Sequence, residues 1–337
     1  MSFQLIGRDH HAAFQRGADT AARTAPVGLS IIVPVKDEEQ AIRPFLARTV
    51  PLLEALTDVA SWEILFVDDG STDATLPIII AASQLDCRVK AISLSRNFGK
   101  EAALSAGLDY ATGLAVIPID VDMQDPPEAI ASLVARWREG FEVVYGVRTD
   151  RRSDSRTKRW SSSLYYRFHN FISADRIPAN AGDFRLLDRS VVEVIRMLPE
   201  RNRFMKGIFA WSGFKQSSVE YARDRRAVGE TKFSYWKLFT LAIDGITASS
   251  TVPLRIWSYI GGVIALLAFA YAAFIVVDTM IYGPAVNGYP SIITAVMFLG
   301  GIQLVSLGVL GEYIGRILIE TKQRPLYVLR SSIGLTI

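Results

Sequence analysis

Three short acidic clusters are the residues whose types and spacing point to chemistry: Asp37-Glu38, Asp68-Asp69, and Asp120 and Asp122 followed by Gln124. On an extended segment, the i, i+2, i+4 spacing of the last set places two carboxylates and an amide carbonyl on one side. Hard divalent cations prefer such oxygens, together with those of phosphate. A diphosphate approaching an acidic rim is repelled unless such a cation intervenes, so the clusters suggest metal-assisted chemistry on a phosphorylated substrate. One pair alone would equally be a solvated turn; three pairs, each closing an apolar run, favour a site. The positive counterpart is the run Arg148, Arg151, Arg152, Arg156, Lys158 and Arg159, six basic residues within twelve. Guanidinium forks suit phosphate oxygens, and a solvated charged loop is the alternative reading. A second basic group, Arg223, Arg225, Arg226 and Lys232, precedes an aromatic and apolar segment, where it would anchor at a lipid interface or capture a lipid phosphate.

The elements that must position these groups alternate along the chain. Short apolar runs LSIIVPV, EILFVDDG, VKAISL, LAVIPID and EVVYG are separated by amphipathic segments at Glu39–Leu56, Asp73–Gln84, Lys100–Ala111 and Pro127–Arg138. That order predicts a largely parallel sheet with helices on both faces. Ligands in such sheets bind beyond the carboxyl ends of the strands, which is where the acidic clusters fall. No GxGxxG follows the first strand and no GxxxxGK[ST] occurs, which removes the main support for dinucleotide oxidoreductases and P-loop NTPases. The segment WSSSLYYRFHNFI fits either an interfacial helix or a core-facing one.

Composition narrows the classes further. The 337 residues are 50% hydrophobic and 21% charged, with 37 Lys and Arg against 34 Asp and Glu, so no polybasic footprint suggests a DNA or RNA polymer as partner. One cysteine, Cys87, and three histidines exclude an internal disulfide and make cysteine- or histidine-built metal sites poor candidates. The apolar excess lies towards the C-terminus. Ile256 to Val277 runs 22 residues without a charge, enough to cross a bilayer as a helix. A second uncharged stretch, Thr279 to Gly311, opens with the turn-rich IYGPAVNGYP, so helices are expected at about 256–278 and 290–316, with buried core helices as the alternative. The connecting loop has no Lys or Arg, whereas Arg255, Arg316, Lys322, Arg324 and Arg330 flank the pair, which orients the loop outward and both termini to the cytoplasm. Residues 1–28 are polar and charged without the apolar core of a cleavable signal, and read as a flexible leader. Gly300, Gly301, Gly308, Gly311 and Gly315 would allow close approach within a hairpin or between copies of the chain.

The succession PVKDEE, FVDDGSTDAT, LSRNFGKEAALSAGLDYA, IPIDVDMQDPPE, AGDFRLLDR, RFMKGIFAW and GETKFSYWK, followed by two apolar stretches, resembles the family 2 glycosyltransferases of GT-A fold over residues 29–330. More narrowly it resembles the polyisoprenyl-phosphate glycosyltransferases of the bactoprenol glucosyltransferase type, and more distantly the dolichol-phosphate mannose synthases. The resemblance implies a Rossmann-like, mostly parallel sheet followed by a transmembrane hairpin. It divides the chain into a leader (1–28), a cytoplasmic catalytic domain (29–231), an interfacial segment (232–255), two membrane helices (256–318) and a cytoplasmic tail (319–337).

It also implies an inverting transfer of one sugar from a nucleotide diphosphate sugar, UDP-glucose above other UDP- or GDP-sugars, to polyprenyl phosphate at the inner membrane. On that resemblance Pro34, Asp37, Glu38, Asp68, Asp69, Asp120 and Arg148 bind the nucleotide sugar. Asp120, Asp122 and Gln124 bind Mg2+ or Mn2+. Asp122 and Asp183 act in catalysis, and Arg152, Lys158, Arg159, Arg226 and Lys232 serve the acceptor phosphate or the diphosphate. The family usually carries an aromatic residue and Asn where this chain has Lys36 and Asp37. Processive relatives carry QxxRW, whereas position 156 before Arg159-Trp160 is Arg, which favours single-sugar transfer. A membrane-tethered binding or scaffold protein without catalysis is the competing class.

Overall fold

The computed structural model describes residues 27–149, 181–222 except 202 and 204, and 288–335, with part of 259–282. Among these, eight strands form one sheet in the order β7-β5-β6-β4-β1-β2-β3-β8. They are β1 (Val27–Val35), β2 (Val59–Asp68), β3 (Val89–Leu94), β4 (Ala115–Pro118), β5 (Val143–Arg148), β6 (Ala181–Asp188), β7 (Gln216–Tyr221) and β8 (Leu329–Ile333). The central strands β3, β2, β1 and β4 are mutually parallel, as the alternation predicts. The flanks mix directions: β6 runs antiparallel to β4 and β5, and β8 antiparallel to β3.

Strand periodicity divides the core between two faces. Ile31, Val33, Ile64 and Phe66 pack on one face against α1 (Glu39–Glu54), α2 (Thr75–Leu85) and α4 (Ala129–Arg138), through Phe45, Ile79 and Trp137. Ile32, Leu65 and Val67 pack on the other against α3 (Lys100–Tyr110), α5 (Arg189–Met197) and α6 (Met205–Trp211). Contact with α3 is close enough to require glycine, since a Cβ on Gly107 would lie 2.3 Å from Ile32 Cγ2. At the junction of β6 and α5, Asp188 caps the helix by accepting from the Ser190 amide at 2.9 Å and also accepts from Trp137 Nε1 at 2.7 Å.

At the amino end of β2, buried Glu63 accepts from Lys90 Nζ at 2.7 Å, from the Thr112 amide at 2.7 Å and from Ser30. Burial pushes its carboxyl up, but Lys90, Ser30 and Thr112 outweigh burial and hold it below the ordinary value.

The long apolar helix is α7 (Tyr289–Thr321), which runs past the expected end at residue 316. No part of its apolar window, Phe298–Thr321, is buried in the protein, which removes the core-helix reading for it. The described residues of 259–282 are helical, and Tyr259, Leu266, Tyr271, Phe274 and Met280 among them are exposed. Residues 319–337, expected as a tail, contain the last turn of α7 and then β8, which covers the edge of β3. Val328 O accepts from the Ser95 amide at 2.8 Å, and Tyr327 Oη donates to Asp109 at 2.8 Å. The Arg201 amide donates to Glu320 at 2.9 Å. The end of α7 is therefore tied to the sheet domain through β8 and through Glu320.

Two outcomes follow from this packing. Tyr327→Phe is expected to cost about 1–2 kcal/mol, the scale of a hydrogen bond to a charged group, and to lower hydrogen-exchange protection in β3. Because Glu63 has a depressed folded-state value, its contribution is complete above its ordinary value of 4.5 and is lost as pH falls through the folded value. Glu63→Gln is expected to flatten the acid limb of a plot of melting temperature against pH.

Candidate active site

The carboxyl ends of β1, β2 and β4 bring the three acidic clusters to one rim. In the first, Asp37 adopts a left-handed φ of 53° and its Oδ1 accepts from the Thr72 amide at 2.7 Å. Its own amide donates to Ser71 Oγ at 3.0 Å, and the Glu38 amide to Thr75 Oγ1 at 2.8 Å. Lys36 lies 3.3 Å from the other Asp37 oxygen and donates to Gly70 O at 3.2 Å. The Thr72 amide above all, then Lys36 against a smaller burial effect, lowers the Asp37 carboxyl below the usual range. Lys36 and Asp37 thus form a paired set at the positions where the family usually has an aromatic residue and Asn. Pro34 faces the side on which β4 has ended: Ile32 O already accepts from Ile119, so the missing proline N–H costs the sheet no bond.

The second cluster turns inward. Asp68 is 1% exposed and accepts from the Ser71 amide at 2.9 Å and from Ser93 Oγ at 2.8 Å. Asp69, 5% exposed, accepts from the amides of Phe98 at 2.7 Å and Gly99 at 2.9 Å. Burial pushes the Asp69 carboxyl up despite these amides. The bonds fix the loop into α3, where Gly99 takes a φ of 98° that favours glycine.

The third cluster departs from the expected geometry. The chain leaves the strand at Pro118, and Met123 is left-handed at φ 56°, so residues 120–124 form a turn and not the extended segment that would align alternate side chains. β4 stops pairing early: β6 pairs only with Ala115 and Val116 and β1 only as far as Pro118 and the Ile119 amide, so no strand pairing holds residues 120–124 extended. Asp122 Oδ1 accepts from the Gln124 amide at 3.1 Å. Among the described residues, no group of three or more His, Cys, Asp or Glu side chains is arranged to hold a metal ion. That donor set still fits a hard cation of the Mg2+ kind, which takes one or two carboxylates and completes its shell with water and substrate phosphate.

The antiparallel register explains how Asp183 reaches this rim. β6 runs antiparallel to β4, so its first residues, Asp183 among them, lie towards the end where β4 finishes and Asp120 follows. Two carboxylates in that relation repel. Between them lies Lys100, the first residue of α3: its Nζ is 2.8 Å from Asp120 Oδ1, 2.9 Å from Oδ2 and 3.0 Å from Asp183 Oδ2. Burial works against this ammonium, but Asp120 and Asp183 raise its pKa well above the ordinary lysine value, so it is charged at neutral pH.

Arg148, at the end of β5, is held by partners that the sequence reading did not single out. Its guanidinium donates to Asp125 at 3.3 Å and to Tyr221 Oη at 3.2 Å, and Tyr221 in turn donates to Asp125. Burial and then Asp125 push the Tyr221 phenol up. Arg152, Lys158, Arg159, Arg226 and Lys232 lie outside the described residues.

Lys100 was missed although one signal was present: a cation in the first turn of a helix opposes the helix dipole and calls for nearby carboxylates. Asp125 and Tyr221 offered none, being 96 residues apart.

Comparison with known proteins gives the family that the chain resembles. Residues 30–196 match the family described as Glycosyl transferase family 2, and residues 252–317 match the GtrB C-terminal hairpin. The prophage bactoprenol glucosyl transferase homolog of Escherichia coli (strain K12) is 53% identical, over 90% of this chain and 98% of its own. The bactoprenol glucosyl transferase of Shigella phage SfX is 51% identical, over 90% and 99%. Among solved structures, glucosyl-3-phosphoglycerate synthase from Mycobacterium tuberculosis, in complex with Mn2+, UDP-glucose and phosphoglyceric acid, is 19% identical. It is matched over 68% of this chain and 81% of that one, with a TM-score of 0.45.

Asp125→Asn removes the charge that both Arg148 and Tyr221 address. Allowing for an Arg148 side chain 31% exposed to solvent, the expected cost is about 1–2 kcal/mol, measured by denaturation of the full chain in detergent. Tyr221→Phe should cost less, because the pairing of Arg148 with Asp125 survives.

Proposed function

The chain belongs to glycosyl transferase family 2 and is a glycosyltransferase, and from that premise we propose that it transfers a single glucose from UDP-glucose to the phosphate of a membrane polyprenol, with inversion at the anomeric carbon. The observation that carries this reading is the extent of the similarity: about half of all positions are identical across 90% of the chain, catalytic domain and hairpin together, to relatives named bactoprenol glucosyl transferases. The exposed apolar surface of α7 supports attachment to a bilayer. The loop charges support an inner-membrane placement with the catalytic domain cytoplasmic.

In this reaction the acceptor is already an anionic nucleophile at neutral pH, so alignment and charge neutralisation matter more than a general base. Pro34, Asp37, Glu38, Asp68 and Asp69 form the nucleoside side of the site, with Asp68 and Asp69 acting through the loops they hold. Asp120, Asp122 and Gln124 hold Mg2+ or Mn2+ together with the diphosphate. When bound, the cation supplies Lewis-acid stabilisation of the charge that develops on departing UDP. Arg148 faces the diphosphate from the far flank of the rim. Asp183 orients sugar hydroxyls. Arg152, Lys158, Arg159, Arg226 and Lys232 draw the acceptor phosphate in against the repulsion of the donor. The isoprenoid stays in the lipid, where each buried CH2 contributes about 0.8 kcal/mol, so the protein need bind only the headgroup.

The test is mass analysis of lipid product after incubating the full-length protein with polyprenyl phosphate, Mg2+ and a panel of UDP- and GDP-sugars. One hexose per lipid from UDP-glucose, abolished by chelation and reduced at least about a hundredfold by Asp122→Ala, is the expected result. Product from another donor alone would replace the sugar, and no product with UDP binding retained would favour a non-catalytic binding protein.

A further inference from the structure

Lys100 occupies the position that matters most for a cation at this rim. Its ammonium contacts both oxygens of Asp120 as well as one of Asp183, at 2.8–3.0 Å. Its backbone cannot move away easily, since the Gly99 amide is bonded to Asp69 and the Phe98 amide to the same carboxylate. The ammonium itself is a point charge on a flexible four-carbon stem, free to trade carboxylate oxygens for phosphate oxygens without an orientational requirement.

We propose that Lys100 is a built-in counter-ion that competes with the divalent cation for Asp120, so that the cation binds tightly only when a nucleotide diphosphate accompanies it. This rests on the reading above, in which a cation and a nucleotide diphosphate share the rim. A cation arriving alone must displace the ammonium from Asp120 and leave it beside the new positive charge with Asp183 as its remaining partner. A cation arriving with a diphosphate brings oxygens that receive the ammonium, and the exchange becomes favourable. Arg148 cannot take over the task, being engaged by Asp125 and Tyr221. The device thus makes cation and donor bind as one unit, and its removal uncouples them.

The experiment measures Mn2+ binding to the full-length protein in detergent, by the electron paramagnetic resonance of free Mn2+, with and without UDP. The wild type is expected to bind Mn2+ weakly alone and at least about fivefold more tightly with UDP, the lower end of ordinary coupling between sites. Lys100→Met should bind Mn2+ alone at least about fivefold more tightly than the wild type, with most of the enhancement by UDP gone. Lys100→Arg should keep the wild-type pattern.

If the unbalanced carboxylates prevent Lys100→Met from folding, the double variant Lys100→Met/Asp183→Asn keeps the net charge and still frees Asp120, with the same tightening expected. A folded variant lacking Lys100 that binds Mn2+ no more tightly than the wild type overturns the proposal, while UDP-dependent Mn2+ binding by the wild type leaves the metal reading intact. Failure of the wild type to bind Mn2+ even with UDP, with glucosyl transfer persisting under chelation, removes both.

Discussion

Two carboxylates that meet at one ammonium, Asp120 and Asp183, are the constraint around which the rim is arranged. β6 runs antiparallel into a set of parallel strands, and its start therefore meets the end of β4. Like charges so placed cannot be left alone, and the ammonium of Lys100 resolves the conflict. That solution in turn fixes where α3 must begin. Gly99, with its left-handed backbone, and Asp69, which receives two amides of the entering loop, set the starting point. The site is thus a charge balance held by backbone geometry, and any group that changes the balance, a divalent cation or an anionic diphosphate, acts on all three side chains together.

The other acidic residues divide into two kinds by how their oxygens are used. Asp68 and Asp69 are buried and use both oxygens within the domain, Asp68 on the Ser71 amide and on Ser93 of β3 and Asp69 on the loop amides of Phe98 and Gly99, so they shape the rim from within. Asp37 and Asp120 are more open, and each has an ammonium beside it, Lys36 or Lys100. Asp125 carries a third load, anchoring Arg148 with the help of Tyr221. Acid and base are thus interleaved across the rim. That arrangement suits a site in which a diphosphate and a lipid phosphate, both anionic, must come close.

What the sequence made legible follows from which interactions are local. Strand runs such as LSIIVPV and the amphipathic segments between them carry their own period, and they led to the parallel core and to the rim at its carboxyl end. The DxDxQ spacing located the third cluster but suggested an extended segment, because alternation is the default for residues that follow a strand. The turn at Met123 follows the end of β4 pairing, with β6 at Val116 and with β1 at Pro118, which no local pattern reveals. Lys100, Asp125 and Tyr221 were hidden for the same reason: their partners lie 20 to 96 residues away. The edge strand β8 was read as tail because LRSSI is short and polar, and only the exposed edge of β3 gives it a place.

That edge strand bears on how the reaction reaches the bilayer. Val328, which bonds to Ser95 just beyond the carboxyl end of β3, is the seventh residue after Thr321, the end of α7. An extended chain of seven residues spans at most about 25 Å, so the end of the membrane helix is bound to lie within that distance of the strand ends. The bond from the Arg201 amide to Glu320 adds a second tie, between the helices that cover the same face of the sheet. A catalytic domain joined only by a flexible linker would sample many heights above the lipid, and an acceptor phosphate would meet the donor rarely. On the proposed function, two ties would make the hairpin a support and not only a tether, and a rim so held near the headgroups would turn encounter with a lipid phosphate into a two-dimensional search.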